Sequence, residues 1–188
     1  MKFLENTILI ILMSTLTFSC KQSKPLFEPN SGSWLQKGDA KWEFANDEIY
    51  ASLLEGSGFI MTKDVYKDFE LELEFYPSET INSGVFVRCK DYELSYTDCY
   101  EINIWDEHPD QPNRTGAIVS RANPAKYVRT INKWNTYRIV CEKDHIQAWI
   151  NDILVADLRN DELKEGYIGL QADQIGSVKF RNVRIKVL

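Results

Sequence analysis

Short runs of alternating apolar and polar residues fill most of the chain after residue 34, and this period of two is typical of strands with one buried face. The clearest runs are Glu70–Phe75, Val85–Arg88, Tyr100–Ile104, Tyr137–Cys141, Ile146–Ile150, Ile153–Ala156, Tyr167–Gln171 and Val178–Val187. Turn signals such as Asn82-Ser83-Gly84 separate the runs, and the best helical segment is a single turn around Asp161 to Lys164. Many short strands predict an all-β fold, a two-sheet antiparallel sandwich of jelly-roll type.

The first twenty residues follow a different pattern. Lys2 precedes an apolar run over residues 8–18 that is too short to span a bilayer comfortably, and Ser19-Cys20 is followed by polar residues. This resembles a bacterial lipoprotein signal cleaved before Cys20, whose thiol would carry the lipid; an ordinary secretory signal and an anchor helix are the alternatives. The chain is predicted to contain a signal peptide at 1–19, a polar tether at 20–33 and one domain at 34–188. We expect a lipid-anchored protein of the cell envelope, on the periplasmic side.

Composition narrows the class of protein. The chain has 188 residues, of which 44% are hydrophobic, so it can build one ordinary domain with a buried core. Its 22 Lys and Arg residues against 28 Asp and Glu residues give a net charge of −6, with no basic cluster to neutralise phosphates. Nucleic acid is therefore not an expected partner.

The cysteines after the export signal allow more than one pairing. An oxidising compartment permits disulfides, and Cys89 and Cys99 lie on successive strands, where a hairpin-linked bond is conceivable. Strand parity argues against it, because Cys89 continues the inward series of Val87 whereas Cys99 shares the face of Glu101. A bulge or a loop would reconcile the two, so the bond stays open. Cys141 is expected to be a small buried hydrophobe.

Several segments, taken in order, resemble one known family. They are Asp68-Phe69-Glu70-Leu71, Asn82-Ser83-Gly84-Val85-Phe86-Val87-Arg88, Tyr100-Glu101-Ile102-Asn103-Ile104-Trp105-Asp106, Thr115-Gly116-Ala117-Ile118, Trp134-Asn135, Ile168-Gly169-Leu170-Gln171 and Phe180-Arg181-Asn182-Val183-Arg184-Ile185. The chain is similar to the 3-keto-disaccharide hydrolase domain family, built on a concanavalin-like or laminarinase-like jelly roll, from about Trp42 to the C-terminus. The resemblance implies a protein that acts on sugars oxidised at C3, by hydrolysis or by elimination.

The chain departs from the family pattern at two positions. The family usually has Gln where Asn103 stands, and often has His two residues after the Gln that matches Gln171, where this chain has Asp173. Asn103 shortens the reach of the amide by one methylene. Asp173 replaces a neutral ligand or proton shuttle with a carboxylate, which could still bind a hard cation.

Strand alternation brings a set of polar residues to one sheet face. On each of three runs the apolar residues belong between the sheets, which leaves the others on the open, concave side. The predicted sugar site consists of Arg88, Glu101, Asn103, Gln171 and Asp173, walled by Trp105 and Phe86. Aromatic faces pack on sugar C–H surfaces and polar side chains bond to hydroxyls. The alternative is a solvated outer sheet face with cross-strand ion pairs.

The chemistry of a 3-keto-glycoside assigns roles to these residues. The ketone acidifies the hydrogen at C2, so a base and an oxyanion stabiliser are needed. Glu101 is the first candidate base and Asp106 the second; His108 could serve as an acid or metal ligand, or could simply be exposed. Arg88, or a divalent cation held by Glu101 and Asp173, would stabilise the enolate.

Two functions remain open. Nucleophile-elbow, Walker, HExxH, CxxC and dinucleotide motifs are absent from the sequence. The first candidate is a periplasmic enzyme that cleaves 3-keto-glycosides; the second is a catalytically silent carbohydrate-binding lipoprotein on the same fold. The expected partners are an oligosaccharide or modified glycoside and, through the lipid on Cys20, a membrane.

Overall fold

The computed structural model describes residues 22–188, so the predicted signal peptide and Cys20 lie outside the described residues. The strands are β1 (Lys24–Pro25), β2 (Trp34–Gly38), β3 (Lys41–Ala45), β4 (Glu48–Leu53), β5 (Ser57–Thr62), β6 (Phe69–Pro77), β7 (Asn82–Cys89), β8 (Tyr100–Ile104), β9 (Asn135–Glu142), β10 (His145–Ile150), β11 (Ile153–Arg159), β12 (Tyr167–Asp173) and β13 (Gly176–Val187). Within residues 22–188 the only helical element is a 3₁₀ turn at Gln111–Asn113, and no helix there is long and apolar enough to span a membrane.

The strands form two antiparallel sheets packed face to face. The larger sheet has the order β11-β10-β9-β6-β13-β4-β3, with β1 added beside β13, and the smaller one has the order β2-β5-β12-β7-β8. The prediction of an all-β, two-sheet antiparallel sandwich is confirmed. The segment around Asp161 is a loop between β11 and β12, so the best helical pattern in the sequence forms no helix.

The core lies between the sheets and follows the predicted alternation. In β6 the buried residues are Phe69, Leu71, Leu73, Phe75 and Pro77, and the glutamates between them face outward. A second, smaller apolar cluster lies on the other side of the five-stranded sheet. It contains Phe59, Met61, Phe86, Cys89 and Cys99, with Leu35, Tyr92, Leu94 and Tyr167 packed against it. Part of the outer face of this sheet is therefore covered by the segment between β7 and β8.

The folded domain begins before the predicted boundary at Trp34. Lys24 and Pro25 pair with Ile185 and Arg184 of β13, so β1 extends the larger sheet. The next two residues, Leu26 and Phe27, are each only 5% exposed. This part of the expected polar tether is wrong, because it contains two apolar side chains that the core buries.

A bulge near the end of β7 reverses the predicted orientation of the residues that follow. Tyr167 of β12 pairs with Cys89, but Gly169 pairs with Phe86, so β7 carries one extra residue at this point. Arg88 has the left-handed φ of 54°. The opposing Gly166 is required here, because a Cβ at that position would lie 2.2 Å from the Cys89 carbonyl oxygen.

Candidate active site on the outer face of the five-stranded sheet

Three neighbouring strands form the floor of a groove on the outer face of the five-stranded sheet. Gly84 of β7 lies between Asn103 of β8 and Gln171 of β12, one cross-strand partner on each side. In the same registers Phe86 faces Glu101, and Asn82 faces Asp173. The groove encloses about 390 Å³, enough for a sugar unit. The structure thus brings together Glu101, Asn103, Gln171, Asp173 and Phe86, as predicted from strand parity.

Gly84 gives the groove its depth at the centre of the floor. A Cβ at this position would lie 3.3 Å from Cγ and Oε1 of Glu101 and 3.3 Å from the Phe86 ring. The missing side chain leaves room for the Glu101 carboxylate to lean over β7. Any larger residue at position 84 would move the carboxylate or fill the hollow.

One wall of the groove comes from the loop between β7 and β8. The Cys89–Cys99 disulfide closes this loop, and Leu94, Ser95 and Tyr96 line the groove. The bulge explains how the bond forms despite the expected parity, since it turns Cys89 to the face of Cys99. The pairing that the sequence left open is therefore present, and Cys141 is free and buried as expected.

The opposite wall comes from the long connection between β8 and β9. Residues 116–119 run beside β8, where Val119 N–H donates to the Glu101 carbonyl and Gly116 N–H donates to the Asn103 carbonyl. This pairing brings Val119 and Ser120 to the groove. Asn113 fixes the turn, because its Oδ1 accepts from Ser120 N–H and its carbonyl accepts from Asn103 Nδ2.

Glu101 is the carboxylate with the most perturbed environment in the groove. Its side chain is buried, and it accepts no hydrogen bond from the described part of the chain. Burial raises the pKa of Glu101 from 4.5 to about 7, and the negative charge of Asp173 adds to the rise. A carboxylate with such a pKa takes up and releases a proton near neutrality, as a general base requires.

Asp173 has partners, whereas two amide oxygens beside it have none. Its carboxylate accepts from Asn82 Nδ2 at 3.0 Å and from Gln174 N–H at 2.8 Å. The buried Oδ1 of Asn82 and Oε1 of Gln171 lack a donor within residues 22–188. Unsatisfied buried acceptors that line a groove indicate a ligand that supplies donors or positive charge.

The structure also tests whether these residues fit the expected divalent cation. Residues 22–188 contain no group of three or more His, Cys, Asp or Glu side chains placed to hold a metal ion. The groove does offer the carboxylates of Glu101 and Asp173 and the two unpartnered amide oxygens. An all-oxygen set of this kind fits a hard cation such as Ca²⁺ or Mg²⁺ better than a transition metal.

His108 lies at the rim with one ring nitrogen available. Its Nδ1 accepts from Asp110 N–H at 2.9 Å, so the proton of the neutral ring is on Nε2. The Trp105 ring packs edge-on against it, with ring centroids 4.4 Å apart. Trp105 itself does not line the groove, so its predicted role as a wall is wrong; it orients His108 instead.

Arg88 is not part of the site. The bulge turns its fully buried guanidinium to the end of the sandwich, where it donates to the carbonyl oxygens of Lys67, Lys143 and Leu163. It also lies 3.5 Å from an oxygen of Asp68. The predicted role of Arg88 in binding substrate or an enolate is therefore wrong, because these partners hold it away from the groove.

Two other predicted residues have structural roles. Asp106, the second candidate base, lies two residues after the end of β8. Its carboxylate accepts hydrogen bonds from Thr130 N–H, Thr130 Oγ1 and Ile131 N–H, and these bonds hold the long β8–β9 connection against the end of β8. Asn103 lines the groove, but its amide is engaged by Asn113 and by Ile104 N–H. Asp106 is thus held away from the groove, whereas the Asn103 amide still has one Nδ2 hydrogen beyond its bond to Asn113.

Sequence reasoning missed several residues of the groove. Asn82 shares the parity of Gly84 and Phe86, so the alternation of β7 contained the signal for it. The wall residues Tyr96 and Ser120 lie in loops, where no periodicity indicates which side chain points inward.

Comparison with known proteins identifies the family of this chain. The model of the 3-keto-alpha-glucoside-1,2-lyase-like domain matches residues 22–186, which is nearly all of the described chain. The chain belongs to this family. The match includes β1, which agrees with the early start of the folded lyase-like domain. No curated protein matches the chain.

Solved structures share the fold of this lyase-like domain. A protein from Parabacteroides distasonis, provisionally named a glycosyl hydrolase, is 28% identical with a TM-score of 0.75 over 89% of this chain and 100% of its own. The carbohydrate-binding module CBM66 from Bacillus subtilis is 19% identical with a TM-score of 0.64, over 82% and 95% of the two chains. A Bacillus subtilis protein with a galectin-like fold is 12% identical with a TM-score of 0.70, over 89% and 95%. The domain therefore has a carbohydrate-related role on a galectin-like jelly roll.

Proposed function

We propose that the chain cleaves 3-keto-glycosides and that Glu101 removes the proton from C2 of the sugar. The observation that carries this proposal is a buried, unpartnered carboxylate with a pKa of about 7 at the centre of the groove. The family to which the chain belongs, and the glycosyl hydrolase name given to the similar Parabacteroides distasonis protein, support a reaction on a glycosidic bond.

The proposed reaction is a β-elimination. The Glu101 carboxylate accepts the C2 proton, and the electron pair of that C–H bond moves toward the C3 ketone to give an enolate. The pair then returns to form the C1–C2 double bond while the bond from C1 to the glycosidic oxygen breaks. The proton that this oxygen needs comes from the Glu101 carboxylic acid formed in the first step, and His108 Nε2–H at the rim donates a hydrogen bond to the leaving oxygen. Addition of water to C1 afterwards would give the products of hydrolysis.

We further propose that the oxygens of Glu101, Asp173, Asn82 and Gln171 hold a hard divalent cation. Such an ion would polarise the ketone of the substrate. Asp173→Ala removes one of the two charged ligands, so it should weaken Mg²⁺ or Ca²⁺ binding measured by calorimetry at least tenfold. Equal affinity in wild type and Asp173→Ala would contradict this part of the proposal.

The test of the base uses Glu101→Gln, which keeps the shape of the side chain and removes the charge. Turnover of a 3-keto-glucoside should fall by about 10²-fold or more with little change in substrate binding, the usual scale for a general base. The matched control is Glu142→Gln, at an exposed position of the other sheet. Without added Mg²⁺ or Ca²⁺, which would lower the pKa of Glu101 on binding it, wild-type turnover should also rise with pH through about 7, as Glu101 ionises. Equal turnover in wild type and Glu101→Gln would reject this role.

A second function, sugar binding without turnover, is favoured by the state of Asn103 and Asp173. The Asn103 amide is engaged within the protein, and both Asp173 oxygens already accept hydrogen bonds. On this reading, wild type binds the sugar but gives no product, and Glu101→Gln binds it with the same affinity. The same experiment therefore separates the two functions.

A further inference from the structure

A second cleft lies at the end of the sandwich near the β9–β10 turn. It encloses about 540 Å³ and shares no lining residue with the groove. Its charged lining residues are Lys67, Lys143, Arg159 and Lys164 against Asp144 and Asp161. The local balance of four positive and two negative charges is opposite in sign to the whole chain, whose net charge is −6.

The three lysines of this cleft have no acidic partner. Ten ion pairs join the side chains of residues 22–188, and none includes Lys67, Lys143 or Lys164. Arg159 neutralises Asp144 across 3.0 Å. The lysine ammonium groups are thus available to an anion from outside.

The floor of the cleft is built to favour negative charge. Arg88 lies fully buried beneath it, and its guanidinium donates to the carbonyl oxygens of Lys67, Lys143 and Leu163. Carbonyl dipoles that would repel an anion are therefore directed at a cation inside the protein. The bulge of β7 that removes Arg88 from the groove places it here.

Asn160 adds a neutral donor. Its Oδ1 accepts from Glu162 N–H and from the Tyr100 hydroxyl, which identifies the other end of the amide as Nδ2. Nδ2 has no acceptor within residues 22–188. Ammonium groups combined with an amide N–H are suited to a carboxylate or a sulfate, which accept several hydrogen bonds at once.

We propose that this cleft binds an acidic sugar unit, through the carboxylate of a uronic acid or the sulfate of a sulfated sugar. The volume fits one or two sugar units. The net charge of −6 opposes the long backbone of a nucleic acid. The inference rests on the carbohydrate-related role of the domain but not on the chemistry of Glu101.

The experiment compares two double variants that remove the same total charge. The double variant Lys143→Ala with Lys164→Ala removes two unpaired lysine ammonium groups from the cleft. Lys63→Ala with Lys133→Ala is the control, because these lysines are exposed, form no ion pair within residues 22–188 and lie outside both sites. All measurements are made in the Glu101→Gln background, so failure of this proposal and failure of the proposed reaction are distinguishable.

The probes are oligogalacturonate, sulfated dextran oligosaccharides and neutral dextran oligosaccharides of the same length, titrated by calorimetry at low salt. We expect binding of at least one anionic probe and none of the neutral one. The cleft variant should lose about tenfold in affinity, as expected for two exposed charge contacts, and the control should lose none. The two anionic probes tell carboxylate from sulfate. Absence of binding to both anionic probes, or an equal loss in both variants, would overturn the proposal.

Discussion

At the residue scale, the buried carboxylate of Glu101 links the stability of the protein to pH. Its pKa of about 7 lies above the ordinary value of 4.5, so the folded state holds the proton more tightly than the unfolded state. The stability that this provides is present below pH 4.5 and is lost as the pH rises through 7. Each pKa unit corresponds to about 1.4 kcal/mol, so the full effect has an upper limit of about 3 kcal/mol.

This linkage predicts that Glu101→Gln stabilises the protein at alkaline pH. The variant should unfold at higher urea than wild type at pH 8, by up to about 3 kcal/mol, and the difference should vanish below pH 4.5, where both side chains are neutral. Denaturation curves of the two proteins from pH 4 to pH 8.5 measure this difference directly, with Glu142→Gln as the control. A difference that does not change with pH would show that Glu101 is not the titrating group. The result does not depend on any substrate.

The alternation of side chains between the two faces of a strand predicted the groove residues of β8 and β12, because neither strand has a bulge at those residues. Glu101 and Gln171 keep their side of the sheet throughout. The same rule failed for Arg88, since one extra residue in β7 exchanges the two faces and no feature of the local sequence identifies a bulge. Asp106 lies just beyond a strand, where parity no longer applies, and only its contact with Thr130 defines its place.

At the element scale, the wall formed by the loop between β7 and β8 depends on a residue from the opposite wall. The Arg121 guanidinium donates to the carbonyl oxygens of Tyr96, Thr97 and Cys99. It also lies 4.8 Å from the centre of the Tyr100 ring. Arg121 therefore holds the two walls of the groove at a fixed distance, and it acts as a positioning residue.

We predict that Arg121→Ala weakens sugar binding by about tenfold while changing turnover of bound sugar little, because Glu101 keeps its place on β8. Hydrogen bonds from a charged donor are worth about 1.5 to 3 kcal/mol each, so the loop should also open more often. Faster tryptic cleavage after Lys90, which is exposed, measures this opening.

Two variants sharpen this test. Arg121→Lys should not restore binding, because a single ammonium group cannot reach three carbonyl oxygens at once. Arg129→Ala is the control, since Arg129 is exposed and forms only a surface ion pair with Glu107. Wild-type affinity in Arg121→Ala would mean that the disulfide alone fixes the wall.

The strands from β6 onward were largely predictable, whereas none of β1 to β5 was among the predicted runs, although β3 and β4 alternate in burial. β6 and β8 to β13 match alternating runs because each has one apolar face on the core. β1 is two residues long and contains a proline, so it has no periodicity; only its pairing with β13 defines it. The loop segments that form the groove walls are ordered by a disulfide and by Arg121, which are contacts between residues far apart in sequence.

At the scale of the whole molecule, the proposed lipid anchor has a geometric consequence. β1 starts at Lys24 in the larger sheet, whereas the groove lies on the outer face of the smaller sheet. A lipid on Cys20 would leave only three residues before β1, which reach about 10 Å at most. The anchor would thus attach on the side of the sandwich opposite the groove, and the groove would stay open to soluble sugars.

This anchor predicts that Cys20→Ala moves the protein from the membrane fraction to the soluble fraction, because the lipid would have no thiol to join. The measurement is immunoblotting of the two fractions, with Cys141→Ala as the control at a buried cysteine that bears no lipid. Retention of Cys20→Ala in the membrane would indicate that the N-terminal apolar run acts as an anchor helix instead.

The early start of the folded domain predicts that the segment before Trp34 contributes to stability. A shortened chain that starts at Ser31 lacks β1 and the buried side chains of Leu26 and Phe27, whereas one that starts at Gln22 keeps them. Loss of large buried side chains costs about 2 to 5 kcal/mol each, and about 1 kcal/mol lowers the Tm of a domain of this size by 2 to 4 °C. The shorter chain should therefore melt about 10 °C or more below the longer one in calorimetry.

Leu26→Ala with Phe27→Ala in the longer chain should reproduce most of this drop, because the burial of these side chains, rather than the two-residue strand, supplies the energy. Equal melting temperatures for the two chains would show that the residues before Trp34 do not stabilise the domain and form a tether, as the polar residues after Cys20 predict.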